Sequence, residues 1–338
     1  MTNSLRDGFR RTIDYLRISV TDRCNLRCVY CMPSGGVAPL AHKDILRYEE
    51  IAKVLKIAAK IGVKRVRITG GEPLIRKDIA HLVHLIRQIP GIRDLSLTTN
   101  GILLAEHAEE LARAGLSRVN VSIDSLSPER YREITRGGNL DAVLRGIRAA
   151  ENAGLMPVKI NMVPIRGIND GEIEAFAKLT FDTPYQIRFI EFMPFDSQGL
   201  WSLERFIPVD EIRSRVVKMG KLSPVQMKKA GPACYFRLEG AQGVLGFISP
   251  LSNHFCGECN RLRMTADGNL RPCLFSETEI DLKPALRQHM SEDEIHRLLI
   301  LSVRVKPEGH NLATGKAGLE ALARFRQGCG RPMSKIGG

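Results

Sequence analysis

Cys24, Cys28 and Cys31 lie in the run Thr21-Asp22-Arg23-Cys24-Asn25-Leu26-Arg27-Cys28-Val29-Tyr30-Cys31-Met32-Pro33, so one short loop offers three thiolates. A four-iron cluster held by three thiolates keeps one iron open to a ligand from outside the chain, whereas four cysteines close it. The same distinction separates open, catalytic zinc sites from closed, structural ones. Tyr30, beside the last cysteine, can pack against whatever occupies that iron. A second triplet follows far downstream: Cys256, Cys259 and Cys273. Two readings of it are open, a structural zinc site completed by His254 or His310, or a second iron–sulfur cluster. The repeated use of three cysteines rather than four favours the cluster. Arg261 and Arg263, just after Cys259, share one face if the segment is a strand. Paired guanidiniums of this kind suit a phosphate. Arg17 and Arg67 fall inside apparent strands, odd places for arginine unless the strands face a polar cavity.

The elements that must position these residues alternate. Residues 16–20, 63–69, 92–98, 118–123, 158–163 and 186–192 read as strands, and residues 49–61, 77–89, 103–114, 140–153, 172–179 and 209–217 as helices. Six such βα units give an α/β fold, a parallel sheet wound toward a barrel without completing eight repeats, although an open doubly wound sheet fits the same pattern. Ligands gather where such strands end, and here those ends are polar: the cysteine loop, Gly70-Gly71-Glu72-Pro73, Thr98-Thr99-Asn100-Gly101, Ser122 to Ser125, and Glu191-Phe192-Met193-Pro194. Lys159 and Asn161 lie on the fifth strand. Beyond Pro224 the pattern shortens to antiparallel strands at 234–238 and 244–248, a turn at Asp267-Gly268, and helices at 281–288 and 292–302. We therefore expect a partial-barrel core at 8–226, a C-terminal α+β domain at 227–328 closing the open side, and a tail at 329–338.

Composition narrows the class. The 338 residues carry 50 Lys+Arg against 37 Asp+Glu, a net charge of +13 that favours polyanions. The basic residues are dispersed, which weakens a nucleic-acid reading. No apolar run is long enough to span a membrane and no secretory leader opens the chain, so a cytoplasmic protein is expected. Eight cysteines in such a chain point to metal or redox chemistry rather than disulfides. No Gly-x-x-x-x-Gly-Lys-Ser/Thr loop occurs, so a nucleotide is not held in the P-loop manner.

The first cysteine motif resembles that of radical S-adenosylmethionine (SAM) enzymes. With Arg-Ile-Thr-Gly-Gly-Glu-Pro-Leu, Thr-Thr-Asn-Gly, Cys-x-x-Cys-Asn-Arg-Leu-Arg and the final Gly337-Gly338, nearly the whole chain resembles the GTP 3′,8-cyclase (MoaA) family of molybdenum cofactor biosynthesis. The resemblance implies two 4Fe–4S clusters, one on Cys24, Cys28 and Cys31 that binds SAM, and one on Cys256, Cys259 and Cys273 that binds GTP. It assigns Tyr30, Gly71, Ser122 and Met193 to SAM. Arg17, Arg67, Thr98, Lys159, Arg261, Leu262 and Arg263 fall to GTP, with a catalytic part for Arg17. It also implies a 5′-deoxyadenosyl radical that takes the ribose 3′ hydrogen before carbon eight is attacked, and a Gly337-Gly338 tail that reaches the site. The implied partners are GTP, an electron donor, a downstream cyclic pyranopterin monophosphate synthase and a second copy of the chain. Two rivals remain: another two-cluster radical SAM enzyme, and a basic zinc-ribbon nucleic-acid-binding protein.

Overall fold

The computed structural model describes residues 5–195, 199–227, 231–288, 290–310 and 331–337; Cys329 and Gly338 lie outside them. Six parallel strands, β1 (Tyr15–Ser19), β2 (Arg65–Thr69), β3 (Asp94–Thr99), β4 (Arg118–Ser122), β5 (Lys159–Met162) and β6 (Gln186–Ile190), pair in sequence order. Their crossovers contain α1 (Tyr48–Lys60), α2 (Ile79–Arg87), α3 (Leu104–Arg113), α4 (Pro128–Thr135), α5 (Leu140–Asn152) and α6 (Ile173–Asp182), with α7 (Val209–Val217) after β6.

Side-chain alternation explains the construction. Leu16 and Ile18, Val66 and Ile68, Leu95 and Leu97, Val119 and Val121, Ile160 and Met162, and Ile187 and Phe189 belong to one buried apolar cluster shared with the helices. The intervening residues Tyr15, Arg17, Arg65, Arg67, Thr98, Ser122, Lys159 and Arg188 face a cavity instead. A strand has period two, so one register buries every apolar side chain and turns every polar one inward. The lumen is therefore wet-walled rather than filled by apolar layers.

The later strands do not build a second sheet. β7 (Leu222–Val225), β8 (Cys234–Leu238) and β9 (Val244–Ile248) join through β9 to β6, whereas β10 (Arg261–Met264), β11 (Asn269–Arg271) and β12 (Ile280–Asp281) join through β10 to β1. Residues 249–260 must therefore cross from one edge of the partial barrel to the other, and that crossing carries Cys256 and Cys259. α8 (Lys283–Arg287) and α9 (Glu292–Arg304) follow.

Three elements depart from the expectations. The helix expected at 77–89 begins at Ile79, because Asp78 takes a left-handed conformation (φ 57°) after a short turn at Pro73–Ile75. α4 was not expected, since its polar sequence has little apolar periodicity. β7 runs through Pro224, which is tolerated at the outer edge of a sheet where no partner needs its missing N–H.

Candidate active site

Both cysteine triplets face a single cavity of about 340 Å³. α4 suspends the first loop. The Arg27 and Val29 amides donate to Thr135 and Ile134 carbonyls at 3.1 and 2.9 Å, and Arg136, at φ 56°, donates to the carbonyls of Arg27 and Met32. On the other side the loop packs on glycine: a Cβ at Gly71 would stand 2.2 Å from the Arg23 carbonyl oxygen. The Gly71 amide donates to Thr21 O at 2.8 Å. Gly71 thus lines the cavity with its amide committed to the cysteine loop.

Glu72, fully buried, fastens the neighbouring strand ends. Its carboxylate accepts from Leu74 N (3.0 Å), Thr99 Oγ1 (2.8 Å) and Asn100 N (2.7 Å), and Asn100 Nδ2 reaches Asn25 Oδ1 at 2.7 Å. Burial pushes the carboxyl up to about 7 despite these bonds. Asp124, also buried, accepts from the Tyr30 hydroxyl at 2.5 Å and from Val163 N at 2.9 Å. Burial raises it to about 6. The Tyr30 ring meets Phe192 edge-on at 6.4 Å. Burial raises all three thiols, Cys31 to about 12; Glu72 adds to the rise of Cys24, and neighbouring thiols and Asp124 add to those of Cys28 and Cys31. Iron must displace those protons to bind.

The second loop has the opposite surroundings. Burial alone would raise Cys259, yet Arg261, Lys306 and Arg263 bring it down to about 6. The His310 amide hydrogen-bonds Cys256, and Arg261 caps Phe255 with its guanidinium 4.6 Å above the ring. β10 turns Arg261 and Arg263 toward the cavity beside Tyr15 and Arg17 of β1. The Leu262 side chain is 1% exposed and packs in the apolar core behind the strand, which leaves the expected contact with GTP to its backbone.

Below the thiols the lumen is a basin of cations. Asp14 pairs with Arg65 at 2.7 Å and Asp94 with Arg118. Among the described residues, Arg17, Arg67, Lys159, Arg188, Arg261 and Arg263 have no carboxylate partner. Arg17 Nε, Arg67 Nε, Thr98 Oγ1 and Tyr15 Oη are buried without a hydrogen-bond partner. Such groups cost free energy unless something supplies the missing acceptors and charge. Burial, then Arg188, Arg118 and Arg67, depress Lys159 to about 6. Burial, Arg67 and Arg263 hold Arg17 well below its usual value.

The donor sets fit clusters better than single ions. Each triplet presents half-buried thiols on one wall, near enough to perturb one another electrostatically. Among the described residues no three Cys, His, Asp or Glu side chains converge closely enough for one metal ion. His254 and His310 meet edge to face, ring centroids 5.2 Å apart.

Comparison with known proteins agrees. Residues 18–180 match the Radical SAM superfamily and residues 185–312 match Molybdenum Cofactor Synthesis C. The chain is 53% identical over 336 residues to the GTP 3′,8-cyclase of Thermodesulfovibrio yellowstonii, covering 99% of this chain and 100% of that one. It belongs to the GTP 3′,8-cyclase family. The cyclase of Moorella thermoacetica is 50% identical over 335 residues, covering 99% of this chain and 100% of that one. The fold resembles that of Streptococcus suis SuiB bound to S-adenosylmethionine, with a TM-score of 0.61 at 15% identity, over 85% of this chain and 67% of that chain.

Of the residues expected at a cyclase site, Tyr30, Gly71, Ser122, Met193, Arg17, Arg67, Thr98, Lys159, Arg261, Arg263 and both thiol triplets line the cavity. Gly337 packs beside it. Its φ is +83°, a Cβ there would lie 3.0 Å from Ser19 and Thr69 side chains, and its carbonyl sits 3.4 Å from Arg263 Nη1. Sequence reasoning missed Arg188, although it carries the same signal as Arg17 and Arg67, a guanidinium in mid-strand. It also missed Lys306, which lacks any spacing signal, and named Glu72 and Asp124 only as parts of polar strand ends, with no role of their own.

Proposed function

We propose that the cavity holds SAM at the first cluster and GTP between the second cluster and the cationic basin. The chain is a radical SAM enzyme with two 4Fe–4S clusters, cyclising GTP to (8S)-3′,8-cyclo-7,8-dihydroguanosine 5′-triphosphate in molybdenum cofactor biosynthesis. The supporting observation is the joint exposure of two thiol triplets, five arginines without a carboxylate partner and Lys159 to one cavity.

When bound, cluster and SAM supply the 5′-deoxyadenosyl radical that removes the ribose 3′ hydrogen of GTP. Cys24, Cys28 and Cys31 hold the first cluster; Tyr30, Gly71, Ser122 and Met193 contact SAM. Cys256, Cys259 and Cys273 hold the second. Arg17, Arg67, Lys159, Arg261 and Arg263, with Thr98, bind GTP; each charge-assisted hydrogen bond contributes roughly 1.5–3 kcal/mol. Arg188 joins them. Fixing triphosphate and purine orients the ribose against the radical, an advantage of position rather than acid–base chemistry. Arg17, central on β1, stabilises charge developing near the purine; as a poor acid it does so by donating hydrogen bonds. Phe192, Phe195 and Phe275 wall the cavity, and Gly337 packs beside it against Ser19 and Thr69.

Anaerobically reconstituted protein given SAM, a strong reductant and 3′-deuterated GTP should form 5′-deoxyadenosine that carries the deuterium. SAM cleavage indifferent to GTP would overturn the substrate assignment. The same reading places the protein in the cytoplasm. It supplies a cyclic pyranopterin monophosphate synthase, draws electrons from a low-potential donor, and includes self-association. No helix among the described residues is long and apolar enough to cross a membrane.

A further inference from the structure

A buried ammonium lies at the base of the second thiol triplet. Lys306, 3% exposed, donates from Nζ to Arg261 O at 2.9 Å and Pro272 O at 2.6 Å, and hydrogen-bonds the Cys259 sulfur. Arg261 stands two residues after Cys259, and Pro272 immediately precedes Cys273. One side chain thus ties together the two stretches that carry two of the three thiols. The residues after it are clasped as well. Arg11 donates to Pro307 O (2.5 Å), to Glu308 O (2.7 Å) and to Cys256 O (2.7 Å), and is itself held by buried Asp7 at 2.5 Å. Lys306 and Arg11 together therefore tie down the stretches that carry all three cysteines.

Burying an ammonium costs several kcal/mol unless an opposite charge faces it. Among the described residues no carboxylate pairs with Lys306; the sulfurs of Cys259 and Cys273 are what it faces. Thiolates carrying a cluster supply that opposite charge. Reducing the cluster adds another negative charge, which a fixed neighbouring cation stabilises.

We propose that Lys306 is the positioning residue of the second cluster: it fixes Cys259 and Cys273 through the adjoining carbonyls and, as a fixed positive charge against their sulfurs, raises the cluster's reduction potential. This rests on the reading that Cys256, Cys259 and Cys273 hold a cluster. The full-length chain, reconstituted anaerobically, is titrated electrochemically while the reduced clusters are followed by electron paramagnetic resonance. Lys306→Gln and Lys306→Arg are compared with wild type, and iron is measured in each. We expect Lys306→Gln to retain both clusters while the second midpoint falls and the first stays put. The fall should reach about 59 mV, a tenfold change in the reduced-to-oxidised ratio of a one-electron couple. Lys306→Arg should keep the wild-type midpoint. A fully loaded Lys306→Gln with an unmoved second midpoint overturns the proposal. So does loss of the second cluster in both variants with the first intact, because arginine keeps the charge. Wild-type protein with iron for only one cluster would instead overturn the two-cluster reading.

Discussion

The two cysteine loops share a ligand count and differ in almost everything around it. The first is bordered by Glu72 and Asp124, and all its thiols are pushed upward. The second is bordered by Arg261, Arg263 and Lys306, and Cys259 falls to about 6, although burial still raises Cys256. An acidic border disfavours extra negative charge, so a cluster there surrenders an electron readily; a basic border welcomes an anionic ligand. Thiol number decides that a cluster with an open iron binds. Its neighbours decide whether that iron suits electron donation or substrate.

The largest test of the contrast exchanges which loop is broken. Cys28→Ala should reduce 5′-deoxyadenosine to background, whereas Cys259→Ala should still cleave SAM, no longer responding to GTP and giving no cyclised product. Chromatography of both products decides, and identical losses in the two variants would erase the distinction. Next in size, Arg67→Met removes one charged hydrogen bond of roughly 1.5–3 kcal/mol, a 10- to 150-fold rise in the KM for GTP. The KM for SAM should hold.

A smaller effect comes from pH. Free Lys159 sits at about 6, and a bound triphosphate raises it. Between those two values the free lysine is neutral and the bound one charged, so GTP binding takes up a proton. Affinity should therefore weaken as pH rises above about 6, by up to tenfold per unit. Calorimetry in buffers of different ionisation enthalpy would read the proton directly, and Lys159→Arg should flatten the profile. Smallest is Gly337→Ala, where a side chain at φ +83° costs about 1–3 kcal/mol against the docked tail. Turnover should drop without loss of iron from either loop.

Both triplets were legible because chemistry fixes their spacing locally. So was the wet lumen, because Arg17 and Arg67 break an apolar strand in a way only a cavity permits. Leu262 came with the family resemblance, and the alternation that turns Arg261 and Arg263 inward turns its side chain outward. Sequence does not reveal that the Thr21 carbonyl takes the Gly71 amide. Lys306 and Arg11 were illegible for a deeper reason. Arg11 meets Cys256 across 245 positions, and no local pattern encodes such a contact.

The crossing of residues 249–260 has a consequence for how the chain is made. β1 and β6 each keep an unpaired edge until β10 and β9 arrive. At about 5–20 residues per second, Cys256 emerges some 10–45 s after Cys31. A nascent chain interrupted after β6 and before β9 owns the first cysteine loop but presents two naked parallel edges to its surroundings. Such a fragment is driven toward aggregation or degradation, so a truncated protein able to start radicals without a substrate wall is removed by its own stickiness.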